Sequence, residues 1–315
     1  MQVDDISGYF TSLLSLETVE YIPQVSAVFR SHGPHLNSGV RTSPRIYGGT
    51  YVGHAHLAAK LFWNLNGQTT NPTTVFVNFL SIGACENDIY YQLTQHDSNH
   101  VFVDIHQDGK TLARVFVKSS LKVEGSELIS ASRKVVDYVL PPNKNHIPQL
   151  YLISKMDLFA WRQHQDVLSS PMEMRCVEYG TTWDDVPHSI AYVRVPPEHR
   201  NLMTTKDPIS ILMYLSDWYI VQAISNHFRL NGRFFKSALT LNHHVELIKP
   251  DFDPFQWFLI HSKLETMSFD RAGLNAVVYS EEKVPLAVIR QEMFAENVKM
   301  NPVAKANKNK PGSKL

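Results

Sequence analysis

One order of elements occurs twice along this 315-residue chain, and it limits the available folds more than any other feature. The first round begins with an apolar stretch in which Val52, Ala55, Ala59 and Phe62 recur at helical spacing. After it the period changes. TVFVNFLSI, DIYYQLTQ, HVFVDIHQ and KTLARVFVKSSLKV alternate in character and are rich in β-branched and aromatic residues, with a hairpin turn at Gln107-Asp108-Gly109-Lys110. The second round begins with the apolar stretch Asp207 to Arg229. It continues as SALTLNHHVELI, QWFLIHSKLETMS, LNAVVYS and PLAVIRQEMFAENV, with Ser280-Glu281-Glu282-Lys283 as the turn between the last two. Setting Leu80 on Ile248 gives an offset of 168, and setting Gly109 on Glu282 gives 173. Two registers so close argue for a duplicated unit in which an antiparallel sheet encloses one helix.

The fold class this implies is α+β, a double hotdog: two antiparallel sheets, each wrapped around a long central helix. The second helix is the more informative. Asp207 can cap it, Pro208 suits its first position, and the apolar run passes through Ile209, Leu212, Leu215, Tyr219 and Ala223. A helix apolar on nearly every side is enclosed by other structure or by lipid. Ser216, Asp217 and Gln222 interrupt the run, which argues against a membrane span and for an enclosing sheet. Histidine aside, Asp217 is the one charged residue between the two ends. A buried carboxylate is costly, so Asp217 is expected to have hydrogen-bond donors beside it, a raised pKa, or a function that offsets the cost. Read alone, a helix-interior aspartate satisfied by a neighbouring hydroxyl or backbone group is the better account of it.

Thirty basic and thirty acidic residues leave no net charge, so nothing favours nucleic acid or an anionic membrane surface as a partner. No run of about 18 apolar residues is present, and no N-terminal segment reads as a secretion signal. Cys85 and Cys176 lack metal-ligand spacing and read as reduced core thiols of an intracellular protein. The chain divides into residues 1–123, an N-terminal hotdog that includes a strand at VEYIPQVSAVF; a Pro- and Asn-rich connecting segment, 124–170, with a short helix near MDLFAWRQH; a C-terminal hotdog, 171–299; and a flexible tail, 300–315. The tail ends in Ser313, Lys314 and Leu315, the tripeptide read by peroxisomal import receptors, and so implies a peroxisomal location.

The residues around these elements resemble a known family, the type II acyl-CoA thioesterases (TesB-like double-hotdog enzymes), from about Ser15 to Val298. YGGTYVGHAHLAA is similar to the family's FGGQVVGQAL-type stretch and PMEMRCVEY to its RPLEVRPVEF-type strand. LSDWYIV resembles its ASDxxFL-type helix, LTLNHHV its Thr/Ser-x-Asp/Asn-His segment, and VIRQEMF its TxQEGxxR-type strand. The resemblance implies hydrolysis of acyl-CoA to a free fatty acid and CoA, with no cofactor and no metal. Its catalytic positions fall on Asp217, Thr240 and Gln291, which would hold and activate one water, with Asp217 as base. An aspartate has an ordinary pKa of about 3.9, and burial raises it toward a working pH. The glycine-rich helix start, Gly48, Gly49 and Gly53, is a candidate for binding the thioester carbonyl, with tight helix packing as the other explanation. His243 matches a family histidine that would support the site.

The chain departs from the family pattern at Leu80-Ser81-Ile82-Gly83, at Gln95 to His100, at Asn242 and at Glu246-Leu247-Ile248, positions that bear on CoA contacts and on the acyl channel. These departures motivate a second reading, a non-catalytic acyl-CoA-binding hotdog protein. A hotdog hydratase fits the fold but lacks an Asp/His pair with the right spacing. His54, His56, His243 and His244 are expected to pack or hydrogen-bond rather than bind metal. Trio residues in the second half alone imply one site per chain, and an exposed hotdog sheet edge is expected to pair into a homo-oligomer.

Overall fold

The computed structural model describes residues 13–35, 45–120, 173–181, 186–218, 220–231 and 233–299; the expected connecting segment, the tail with its terminal tripeptide, and Tyr219 lie outside them. Two sets of six strands follow one another. The first is β1 (Glu17–Ile22), β2 (Ser26–Ser31), β3 (Asn71–Phe79), β4 (Ile89–Asp97), β5 (His100–Gln107) and β6 (Lys110–Ser120). The second is β7 (Glu173–Thr181), β8 (Pro187–Arg194), β9 (Arg233–Leu247), β10 (Phe258–Ser268), β11 (Arg271–Tyr279) and β12 (Pro285–Lys299). Helix α1 (Gly48–Leu65) precedes β3, while α2 (Pro208–Leu215) and α3 (Gln222–Leu230) precede β9. VEYIPQVSAVF is a hairpin rather than one strand, because Pro23 and Gln24, with φ of 57°, turn the chain between β1 and β2.

The expectation of two separate sheets needs correction. All twelve strands form one antiparallel sheet, in the order β1-β2-β4-β5-β6-β3-β9-β12-β11-β10-β8-β7. Its two halves are mirror-ordered, and β3 pairs with β9 where they meet, Phe76 opposite His244. The duplication extends to irregularities. Thr73 bulges between Pro72 and Thr74 on β3, and Leu241 bulges between Thr240 and Asn242 on β9, 168 residues later. Leu80 and Ser81 both donate backbone N–H bonds to Leu112 O, and Ile248 and Lys249 both donate to Leu286 O. Leu112 and Leu286 are themselves bulges 174 residues apart. The 173 read from the two turns falls beside this value because the second loop is one residue longer. In the first loop Asp108 and Gly109 take φ of 52° and 74°, the left-handed pair that suits a two-residue hairpin.

The second apolar stretch is not one helix. It stops at Leu215, turns through Ser216 and Asp217, and resumes at Gln222. Only α3 is the counterpart of α1: α1 packs on β2 to β6, and α3 packs on β7 to β10. Helix α2 instead crosses to the other half and runs antiparallel along α1. Lys60 meets Asp207, His56 Nδ1 lies 2.8 Å from Ser210 Oγ, and Tyr47 donates its hydroxyl to Tyr214 O at 3.0 Å. This accounts for the apolar character of α2 on every side, since Ile209 to Leu215 are all buried. Each fully buried Leu, Ile or Met there contributes roughly 1.5–3 kcal/mol. Asp207 caps α2 as expected, accepting from the Ser210 backbone N–H at 2.9 Å.

Candidate active site

Asp217 sits in the turn between α2 and α3, not inside a helix. No glycine or proline breaks the stretch there. Ser216 and Asp217 end the helix through their side chains, which find partners outside the helical ladder. Ser216 Oγ donates to Met213 O at 2.7 Å, and the Asp217 carboxylate reaches the start of α1. There Tyr47 supplies no side-chain cap, and the backbone N–H of Gly49 hydrogen-bonds to the carboxylate. An anion at a helix N-terminus is favourably placed by the free N–H groups and the helix dipole.

Two strands bring up the other members. Gln291 lies on β12 opposite His243 on β9, and Thr240 lies opposite Met293. Residues directly opposite one another share a face of the sheet, and so do Gln291 and Met293. Thr240 and His243 are three residues apart and would face opposite ways in a regular strand. The bulge at Leu241 absorbs the extra residue and turns Thr240 to the side of His243 and Gln291. The Gln291 amide nitrogen then donates to Asp217 Oδ1 at 2.5 Å and to Thr240 Oγ1 at 3.0 Å. The three residues assigned by resemblance are therefore in mutual contact. Gln291 Oε1 has no protein partner among the described residues.

The Asp217 side chain is 9% exposed. Tyr47 is close enough to feel its charge, and the Tyr47 ring centroid lies 5.0 Å from that of Trp218 and 5.2 Å from that of Tyr214. Burial pushes the Asp217 pKa up to about 7, against the opposing hydrogen bonds from Gln291, Gly49 and Thr240.

The glycines at the start of α1 have a packing role. A Cβ on Gly48 would lie 2.5 Å from Asp217 Oδ2, and one on Gly49 would lie 2.1 Å from Tyr214 O. A Cβ on Gly53 would lie 2.9 Å from the Tyr214 Cβ. These positions let α2 and the Asp217 turn close onto α1. Gly49→Ala is expected to destabilise the fold by about 3 kcal/mol, because backbone rather than a flexible side chain must move; urea unfolding measures it. His243 is completely buried behind Asp217, and its Nε2 lies 2.8 Å from Ser216 Oγ. His54 and His56 also find partners inside, at Tyr91 Oη and Ser210 Oγ. The sequence motifs give no role at the site to Ser216 or Tyr47, although the Ser216-Asp217 pair interrupting an apolar run marks the first.

Residues 153–295 match the family described as acyl-CoA thioesterase C-terminal domain. No curated protein matches the chain. Among solved structures, the chain is similar to an acyl-CoA thioesterase II, TesB2, from Mycobacterium marinum, at 15% identity over 96% of this chain and 99% of that one, with a TM-score of 0.64. A protein of unknown function with a hotdog fold from Alicyclobacillus acidocaldarius gives 14% identity, 91% and 97% coverage, and 0.63. The dehydratase domain of PpsC from Mycobacterium tuberculosis, in complex with C12:1-CoA, gives 15% identity, 90% and 99% coverage, and 0.55. These similarities establish a hotdog fold. Residues 153–295 are thus similar to the acyl-CoA thioesterase C-terminal domain family, and the chain, a thioester hydrolase, has the hotdog fold seen in the TesB-like type II enzyme.

Proposed function

We propose that this double-hotdog protein hydrolyses acyl-CoA by direct attack of a water that Asp217, Thr240 and Gln291 hold. The observation that carries this reading is the contact of one raised-pKa carboxylate with an amide and a hydroxyl from two different strands. With its N–H groups engaged by Asp217 and Thr240, Gln291 has Oε1 left to accept. A water donating one hydrogen to Asp217 and the other to Gln291 Oε1 has its lone pair free for the thioester carbon. Asp217 takes a proton as the C–O bond forms. The tetrahedral intermediate then expels CoA sulfur, which takes the proton back, leaving the free acid and CoA thiol. With the Gly49 N–H engaged by Asp217 and the Thr50 N–H by Tyr47 O, the backbone N–H of Gly48 at the start of α1 is the proposed donor to the carbonyl oxygen.

The duplication supports a division into an N-terminal hotdog, 1–123, a connection, 124–170, and a C-terminal hotdog, 171–299, with one site per chain. Carried back by 168 and 174 residues, Asp217, Thr240 and Gln291 fall on Gly49, Pro72 and Val117, none of which can move a proton. The terminal Ser313-Lys314-Leu315 supports peroxisomal import, and the outer edge strands β1 and β7 offer surfaces for pairing into a homo-oligomer. Purified protein is expected to release free thiol from acyl-CoAs in a scan of short, medium, long and branched chains. No release from any of them would make the hydrolase reading wrong.

A further inference from the structure

Behind the trio lie two side chains that take no part in the proposed reaction, Ser216 and His243. Ser216 Oγ has one hydrogen, and it donates that hydrogen to Met213 O at 2.7 Å. Its contact with His243 Nε2 at 2.8 Å must then be one in which the imidazole donates. That leaves Nδ1 bare. This atom is buried, has no hydrogen-bond partner among the described residues, and lies 3.8 Å from Asp217 Oδ1.

The groups facing Asp217 come from every element packed against it. Gln291 on β12 and Gly49 on α1 present N–H groups, and Tyr47 spends its hydroxyl hydrogen on Tyr214 O. Thr240 on β9 can donate or accept, and His243 Nδ1 on the same strand can only accept. Around His243 itself, Val77 on β3 and Gln291 on β12 are its cross-strand neighbours. His244 adjoins it, with Glu246 and Arg290 near His244. Burial holds the His243 ring neutral, with its pKa lowered to about 3.

We propose that Ser216 and His243 are positioning residues for Asp217: Ser216 fixes the Nε2–H tautomer, and bare Nδ1 accepts a hydrogen bond from Asp217 once that carboxylate has taken a proton from water. The proposal rests on Asp217 being the base. The proton stays on Asp217, because the buried imidazole does not ionise, and returns from there to the CoA sulfur. Asp217 in its acid form thus gains a partner that its anion lacks, which favours proton uptake as the transition state forms.

Removing the Ser216 hydroxyl takes away the acceptor for Nε2–H. The ring is then expected to change tautomer and donate Nδ1–H to the carboxylate, making Asp217 a poorer base. The test is made on the full-length protein labelled with 15N-histidine. In the wild type, NMR should show His243 as Nε2–H. In Ser216→Ala it should show Nδ1–H, with the acidic limb of the kcat/KM profile moved down by about one pH unit. Plateau kcat should fall about tenfold, with KM changed less than twofold, and Ser216→Thr should restore the wild-type limb. A purely structural role for Ser216 would lower thermal stability and leave the limb in place. Nδ1–H in the wild type, or an unmoved limb in Ser216→Ala, overturns the proposal while an inactive Asp217→Asn leaves the base assignment standing. Retained turnover in Asp217→Asn overturns both.

Discussion

Asp217→Asn is expected to abolish thiol release and, above pH 7, to make the protein more stable than the wild type. The two effects have one origin. The carboxylate is nearly buried, and its pKa is raised from 3.8 to about 7. Between those values the folded protein keeps a proton that the unfolded chain loses. Stability therefore declines by about 1.4 kcal/mol per pH unit as pH rises through this window, and stays reduced above about pH 7. The full difference is at most about 4 kcal/mol, realised if the Asn carbonyl keeps the bonds from Gln291 and Gly49. Catalysis requires the anion, so kcat/KM in the wild type should rise tenfold per unit below about pH 7 and then level off. The neutral amide removes the base, and the variant should lose at least about a thousandfold in kcat while its melting temperature at pH 8 rises. Calorimetry at pH 5 and pH 8 separates the effects, since the stability gain should shrink at the lower pH.

Gln291→Leu should have the next largest effect. The amide spans Asp217 and Thr240, at 2.5 Å and 3.0 Å, and its carbonyl is the proposed acceptor for the water's second hydrogen. Loss of a group that positions the reacting atoms costs roughly 100- to 1000-fold in kcat in comparable sites. The pH profile carries a second signature. Gln291 is the leading influence holding the Asp217 pKa down against burial, so without it the acidic limb should move upward from about 7. That direction is opposite to the shift expected for Ser216→Ala. A profile scaled down with no displacement would mean that Gln291 does not act through Asp217.

Much of this architecture is readable in the residues, because it rests on local patterns. Alternation gives the strands, and the Asp108-Gly109 turn shows itself by composition. The offset of 168 can be found because the β3 and β9 segments end in similar ways. Other features depend on long-range partners and leave weak local traces. The stretch from Asp207 to Arg229 reads as one helix because burial on every side looks the same whether the cover is a sheet or another helix; only α2 lying on α1 separates the cases. The pairing of β3 with β9, which merges two sheets into one, depends on edges that sequence cannot match. The Leu241 bulge is invisible to alternation, yet it turns Thr240 toward Gln291. Gly48 and Gly49 signal a close approach without naming the approaching group, which proves to be Asp217 and the Tyr214 carbonyl. The resemblance supplied what pattern could not: three residue types, each unremarkable alone, assigned to one site.

Direct attack by a water on the thioester is the central claim, and a single turnover of a medium-chain acyl-CoA in 18O-labelled water tests it. With enzyme in excess over substrate, one 18O should appear in the carboxylate of the released acid, and the protein, analysed by peptide mass spectrometry, should carry none. Label in the Asp217 carboxylate with unlabelled acid in the first turnover would contradict it, because the aspartate would then have attacked the thioester itself.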